Sequence, residues 1–558
     1  MLLLLTIAVT VVLTVKDLSH DNLQRLLGPV SGNNNVCDIG SLKGYPYLYY
    51  TDLSSTSLSS IQKSGVCVKE CPSLANNLNY QCNEPNCDNA IILQNLYPTT
   101  AAVNSYCFPT DIDSMPFSFR QGYDLLMKMG QPGQQLINDF HLSRRAIWTT
   151  MAVAIVLNLV YIYLMANFTS VLAMISLVLI EVCMAASVGG FVYLGFSQRN
   201  PGFYVGAVIM ALFVLIFNCI LCANWTNFKV AVAVIDATAD FFVATKRLVI
   251  LSLIFVVVTF TTIAYFGGSM LIQVSSNQIV TGYYGPGSRE VIFSNNSKIG
   301  ITFTAVVMLW TLLYLKEHTQ FIVSYSASSY YFNSTKSNEG SADVMVGCKI
   351  ASFKHCGSIA LAGLLHTVVT ILRVIVESFA RQNSRGGNIV GAIIACVAVC
   401  LVRLLEDIVQ YMNKVALAYM AITGESYCKS AWNGFLLNLK HLGKFYYAQM
   451  LGRYFMLIGF LAIMAINSGV FYLILKSSGV YYQMNSIAVS MIANLFMTTF
   501  ITRLFLGMFD DAVLGMLMSL GVDTDIHGGE CQHGPPGFHR KLEKIFHAEK
   551  TVGIHGYY

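Results

Sequence analysis

Charge is what this chain has least of. Asp, Glu, Lys and Arg together make up 11% of its 558 residues, against 55% hydrophobic side chains and a mean hydropathy of +0.57. An average soluble domain carries about 25% charged residues, so a water-soluble globule is excluded and the solvent to reason with is a lipid bilayer. Charge of one sign is scarce as well. The net +5 is small and dispersed; the basic residues read as topology signals, and nucleic acid is dropped as a partner. A Walker A loop, a GxSxG elbow and an HExxH in a hydrated context are all missing, which disfavours an ATP-driven pump and a membrane hydrolase. No enzyme activity and no cofactor are therefore expected. Nor can an internal repeat be aligned, so symmetry between two halves does not point to a binding site.

What the chain does have is long apolar runs. About 20 apolar residues cross about 30 Å of hydrocarbon as a helix, and stretches of that kind fall near 1–15, 146–166, 169–196, 203–223, 247–272, 299–324, 356–376, 388–408, 454–475 and 480–505. The expected fold is all-α: a polytopic membrane bundle of about ten transmembrane helices, with a disulfide-rich extracytosolic loop between helices 1 and 2. Residues 1–15 form the first span, 16–145 the loop, 146–510 the bundle with its cytosolic connections, and 511–558 a cytosolic tail. The first run lacks a basic flank, and reads either as a signal-peptide core or as a span that starts upstream. The span is preferred because no A-x-A-like cleavage pattern follows Val15.

The loop holds Cys37, Cys67, Cys71, Cys82, Cys87 and Cys107. Six cysteines in a loop-rich stretch fit a disulfide framework in an oxidising compartment, with fifteen pairings that spacing does not separate. A zinc site would want a second tight pair or a nearby histidine beside Cys67 and Cys71, and neither is present. Cys219 and Cys222 sit inside an apolar span and read as small buried hydrophobes. With the loop outside, both termini are cytosolic, and most basic connections agree with the positive-inside rule, from Lys229, Lys246 and Arg247 to Arg540, Lys541 and Lys544. Arg381 and Arg385 fall on the wrong side. Asn295 heads the sequon Asn295-Asn296-Ser297 on the outer side, close to a span, and is the candidate for glycosylation.

Several stretches resemble one family. ALAYMAITGESYCKSAWNGF (Ala416–Phe435) is similar to the signature A-Y-x-x-I-A-I-x-G-x-N-F-C-x-S-A-x-x-A-F of choline transporter-like proteins, with Ala416, Ala421, Ile422, Gly424, Cys428, Ser430, Ala431 and Phe435 matching. Leu417, Ser426, Tyr427 and Gly434 depart from it. SYSASSYYF (Ser324–Phe332) looks like the end of that family's sixth span, Phe505–Asp525 resembles its C-terminal segment, and LLGPVSGNNNVCDIG with GVCVKECPS resembles its cysteine-rich outer loop. The resemblance covers nearly the whole chain. It implies transport of choline, and in some members ethanolamine, through ten spans with both termini cytosolic.

A quaternary ammonium offers no strong hydrogen-bond donor, so its site is expected to use aromatic faces, worth about 0.5–2 kcal/mol each, together with a carboxylate. On a helix Trp310, Tyr314, Glu317 and Phe321 fall at i, i+4, i+7 and i+11 and form one stripe. The resemblance carries Gln320 over as a family position and leaves Leu313 where an acid is common, with Glu317 one turn further on as its substitute. Against this, the run Ile299–Leu315 can span alone, which would make Lys316, Glu317 and His318 a hydrated flank and Trp310 and Tyr314 packing or belt residues. Glu181 is a second candidate for the cation path, because a charge in mid-span costs roughly 2.5–3.5 kcal/mol. Its bland alternative is a protonated acid bonded to another span.

Remaining charges read as structural. Arg373 with Glu377 and Arg403 with Glu406 are spaced for local ion pairs. Asp510 stands where the family has a Glu, Asp511 is additional, and Leu514 replaces an expected acid; an inner gate and a solvated turn are both open. Val230–Arg247 reads as an interfacial helix lying against the bilayer. The tail histidines match no tight ligand pair and GGECQHGPPG reads as a mobile linker, so no metal is expected. The expected function is facilitated or proton-coupled transport of choline or a related organic cation such as ethanolamine. The membrane is expected to be the plasma membrane, with an organellar membrane, mitochondrial included, as the alternative. The rival function is a non-transporting scaffold, a subunit of a larger membrane complex that keeps the same fold.

Overall fold

A computed structural model describes residues 1–19, 28–33, 35–54, 58–73, 81–84, 97–101, 105–109, 117–199, 201–281, 289–384, 389–484, 486–528 and 530–552. Among the described residues are twelve helices of eight residues or more: α1 (Leu2–Asp17), α2 (Phe117–Gln198), α3 (Pro201–Ala223), α4 (Trp225–Ala244), α5 (Arg247–Ser275), α6 (Asn295–Asn333), α7 (Cys356–Ser384), α8 (Ile389–Thr423), α9 (Tyr427–Lys440), α10 (Leu442–Ser477), α11 (Ile487–Ile526) and α12 (Pro536–Val552). Among the described residues eight stretches are long and apolar enough to cross a membrane: 142–169 and 171–198 in α2, then α3, α5, α6, 356–382 in α7, 445–477 in α10, and α11. The protein is a multi-pass, all-α integral membrane protein. The first and eighth of the ten expected spans are helical as α1 and α8 but are not among these eight; α1 has only 16 residues, and α8 carries Arg403, Glu406, Asp407 and Lys414.

The chain divides into two units. The first comprises residues 1–142, 261–309 and 484–486. Here α1 satisfies Thr6, Thr10 and Thr14 by bonding each hydroxyl back to a carbonyl one turn earlier, and the Thr14 hydroxyl also meets that of Ser269 at 2.5 Å. The expected outer loop contains antiparallel pairs β1 (Tyr47–Tyr50) with β2 (Gly65–Val68), and β3 (Thr99–Ala101) with β4 (Cys107–Pro109). A small core of Tyr49, Leu53, Ile61, Val66 and Val68 covers them. Disulfides Cys37–Cys67 and Cys71–Cys107 staple this fold, Cys82 is disulfide-bonded too, and Cys87 lies outside the described residues. Helix α2 already begins at Phe117, within the expected loop, and its first stretch long and apolar enough to cross a membrane starts at Leu142. Asn295 is exposed on the first turn of α6, while Ser297 of the same sequon accepts a hydrogen bond from the Asn277 amide.

The second unit comprises residues 143–260, 310–483 and 487–558. Helix α2 bends at Phe168, whose φ of −127° and ψ of 24° leave the helical region and separate the second span from the third. Three expectations are corrected here. Helix α4 does not lie on the bilayer: Ala231, Val234, Ile235, Ala239 and Phe241 are buried, and it packs against α10, α11 and α12. Its Ala- and Val-rich surface is small enough to be enclosed on several sides, which an interfacial reading of the same residues overlooks. The linker after α11 is not loose either, because Asp523 binds the N–H groups of Gln532 and His533, and α12 then docks on α4 through Lys541 and Asp236. Helix α11 itself continues to Ile526, past the expected start of the tail at 511. The third correction concerns the charged pairs, which are exchanged between helices: Arg373 of α7 binds Glu406 of α8 at 2.8 Å, and Arg403 of α8 binds Glu377 of α7 at 2.9 Å. Arg385 lies outside the described residues.

Candidate functional site

Helix α6 does not end in water at Lys316. It stays helical to Asn333, and Glu317 and Gln320 are each 1% exposed. The hydrated-flank reading fails for a packing reason: α7 presents small residues along the face that α6 meets. The Trp310 indole N–H donates to the Ala360 carbonyl at 3.1 Å. One turn on, a Cβ added to Gly363 would stand 3.1 Å from the Tyr314 backbone nitrogen, so the helices approach backbone to backbone. One turn further, Glu317 Oε1 lies 3.2 Å from His366 Nδ1, both side chains almost wholly enclosed.

Side chains of α8, α9 and α11 complete the cluster. From α8, Lys414 reaches across to α11, 2.5 Å from Asp510 Oδ2 and 3.6 Å from Asp511 Oδ1. Its own backbone carbonyl accepts the Gln320 amide at 3.2 Å. Asn413, next in sequence, donates to the Ala362 carbonyl on α7 at 3.0 Å and accepts the Tyr427 hydroxyl from α9. Two acceptor atoms in this buried region, Glu317 Oε2 and Gln320 Oε1, have no hydrogen-bond partner. Three carboxylates thus gather around one partly buried ammonium and one imidazole, an excess of negative charge suited to a cation.

Beside this cluster lies a groove of about 570 Å³, lined by Tyr411, Phe435, Tyr446, Tyr454, Gln449 and Arg453 among others. Tyr411 is one turn before Lys414 on α8. On α10, Gly452, next in sequence to the lining residue Arg453, sits where an added Cβ would lie 3.9 Å from Asp510 Oδ1. The aromatic faces of the groove are tyrosines on α8 and α10 with Phe435 on α9.

The expected residues separate accordingly. Glu317 and Gln320 meet in the cluster. Trp310 is buried against α7, Tyr314 is half-buried with its ring 5.6 Å from His318, and Phe321 packs 5.6 Å from the His355 ring. Glu181 is elsewhere, accepting from the Asn218 amide of α3 at 3.3 Å with its other oxygen unpartnered. Sequence reasoning passed over His366, Asn413 and Lys414. The signal for two of them was present, since His366 interrupts LAGLLHTVVTIL and Lys414 precedes VALAYMAI without a local counter-ion.

A multi-pass helical membrane protein with a carboxylate-rich locus buried among its spans is the class this fold and site define. Residues 208–525, over half of the chain, match a family profile described as plasma-membrane choline transporter, and the chain belongs to that family. Choline transporter-like protein 4 of Rattus norvegicus is 27% identical over 163 residues, 29% of this chain and 22% of the relative. Choline transporter-like protein 4 of Sus scrofa aligns at 20% identity over 523 residues, 75% of this chain and 74% of the relative. Protein PNS1 of Gibberella zeae is 31% identical over 131 residues, 24% of each chain. Matches to the rat and human relatives span about a fifth of their length.

Proposed function

We propose that this protein carries choline or a related organic cation, ethanolamine included, across the plasma membrane without ATP. Its family membership supports the substrate class, and the observation that carries the reading is Glu317. A buried carboxylate oxygen without a partner costs roughly 1–3 kcal/mol or more, and here it stands beside a second unpartnered acceptor on Gln320. A cation that enters the cluster relieves both. The tyrosine-lined groove offers faces for a methylated ammonium on the way in, and Asp510 with Lys414 forms an ion pair that the cation can loosen by competing for the carboxylate.

Glu317→Gln keeps the shape and removes the charge. Uptake of radiolabelled choline into proteoliposomes is expected to fall at least tenfold, with surface expression and detergent elution unchanged. Uptake equal to wild type would remove Glu317 from the path. Choline is also expected to raise the melting temperature of the purified protein. A stoichiometric complex that shows no such shift would favour the scaffold reading instead.

A further inference from the structure

We propose that the end of α11 and the segment after it bind a single divalent transition-metal ion of the zinc class, held by Asp523, His527 and His533. Asp523 is fully buried, and its two oxygens have separate tasks. Oδ2 accepts the backbone N–H groups of Gln532 and His533, both at 3.0 Å, and the Tyr331 hydroxyl at 3.1 Å. These three bonds hold the carboxylate in one orientation, the supporting role that outer partners play for metal-bound carboxylates. Oδ1 faces the Nδ1 atoms of His527 at 3.0 Å and His533 at 2.9 Å, and His527 Nδ1 also lies 3.0 Å from the Asp523 carbonyl. One ligand atom from each of the three residues falls within 4.8 Å of the others.

Two imidazoles that turn the same nitrogen toward one carboxylate oxygen each need a proton there. One divalent ion can replace both protons. Zinc bonds of about 2.0–2.2 Å place tetrahedral ligand atoms about 3.3 Å apart, so the two carboxylate–imidazole distances have to open by only a few tenths of an ångström, with the two imidazole nitrogens already within 4.8 Å of each other. His527 and His533 are 27% and 36% exposed, which leaves the fourth position open to water. The residues read D-x3-H-x5-H, a spacing without a tight pair. The fold closes the distance: Asp523 and His527 are one turn apart on α11, and the chain turns back through Gly528 at φ +68° to return His533. The ion would tie α11 to the strap that leads into α12, and so hold α12 on α4.

The test uses the full-length protein in detergent after chelator washing, titrated with zinc alone and then with cobalt(II) as a spectroscopic probe. The expected result is one ion per chain, with the visible absorption of four-coordinate cobalt, and binding at least tenfold weaker in His527→Ala and His533→Ala. Both histidines are part-exposed, so these variants are expected to elute as wild type does. Wild-type protein that retains no ion above a washed blank would overturn the proposal, as would a double variant that takes up cobalt with an unchanged spectrum. The wild-type titration decides the matter even where a variant fails to fold.

Discussion

At the scale of single residues, Gly363 decides whether the site exists. A Cβ there would meet the Tyr314 backbone nitrogen at 3.1 Å and its Cα at 3.2 Å, and backbone cannot step aside as a side chain can. Gly363→Leu is therefore expected to push α6 off α7, at about 1–3 kcal/mol or more, and to separate Glu317 from His366. A lowered melting temperature together with lost choline uptake checks this; a variant with wild-type melting and uptake would refute the close approach. Lys414 presents the opposite problem, a charge whose removal strands its partners. Lys414→Met leaves Asp510 and Asp511 without their ammonium partner, which for a part-buried pair costs roughly 1–3 kcal/mol. Adding Asp510→Asn to that variant is expected to recover most of the loss in a thermal-melt cycle. These residues were only half legible beforehand. Glu317 and Gln320 stood out because a charge and an amide interrupt an apolar helix, whereas the partners that define their environment come from α7, α8, α9 and α11, and helical spacing within α6 carries no information about them.

Among elements, two kinds of helix contact replaced what local spacing had suggested. Arg373 and Glu377 are four residues apart on one helix face, yet each binds a residue of α8, because an interhelical pair closes two helices where a local pair stabilises only one by about 0.2–0.5 kcal/mol. The docking of α12 on α4 is the other case, and it carries a pH signature. Burial, and secondarily the neighbouring Asp236, push the Asp240 carboxyl up to about 6. Folding thus favours its protonated form. Below the ordinary carboxylate range the group is neutral in the folded and the unfolded chain alike; as pH rises through about 6 the folded packing around α4 pays a desolvation penalty, offset only in part by Lys541 of α12, and loses stability. Limited proteolysis of the C-terminal segment is accordingly expected to be slower at pH 5.5 than at pH 7.5. Asp240→Asn should flatten that difference, and a wild-type rate independent of pH would refute it. The sequence offered Asp236 and Asp240 one turn apart, and the error was to assign their polar face to lipid headgroups when Lys541, some three hundred residues away, was its partner.

For the whole molecule, the bilayer explains why so much of the architecture could be read in advance. Every backbone group in hydrocarbon must be satisfied within its own segment, so apolar length announces a helix with no knowledge of its neighbours, and the runs from 146 onward all became helices. Composition says nothing about which helices touch, and that is where the site lies. The same bilayer supplies the driving force that separates two ways of working. A cation carried alone moves with the membrane potential, about 2.3 kcal/mol per 100 mV, which corresponds to roughly fiftyfold accumulation at equilibrium, with about 1.4 kcal/mol to each factor of ten. A cation exchanged for a proton moves no net charge, and follows the pH gradient instead. The contact between Glu317 and His366 offers a place to hold such a proton, since both groups are enclosed and 3.2 Å apart. In proteoliposomes with an inside-negative potassium potential and no pH gradient, uniport is expected to concentrate choline by that factor; exchange is expected to give none until an outward proton gradient is imposed. His366→Gln separates the two further. It should leave potential-driven uptake within about twofold if the imidazole only packs, and abolish gradient-driven uptake if the proton resides on the pair.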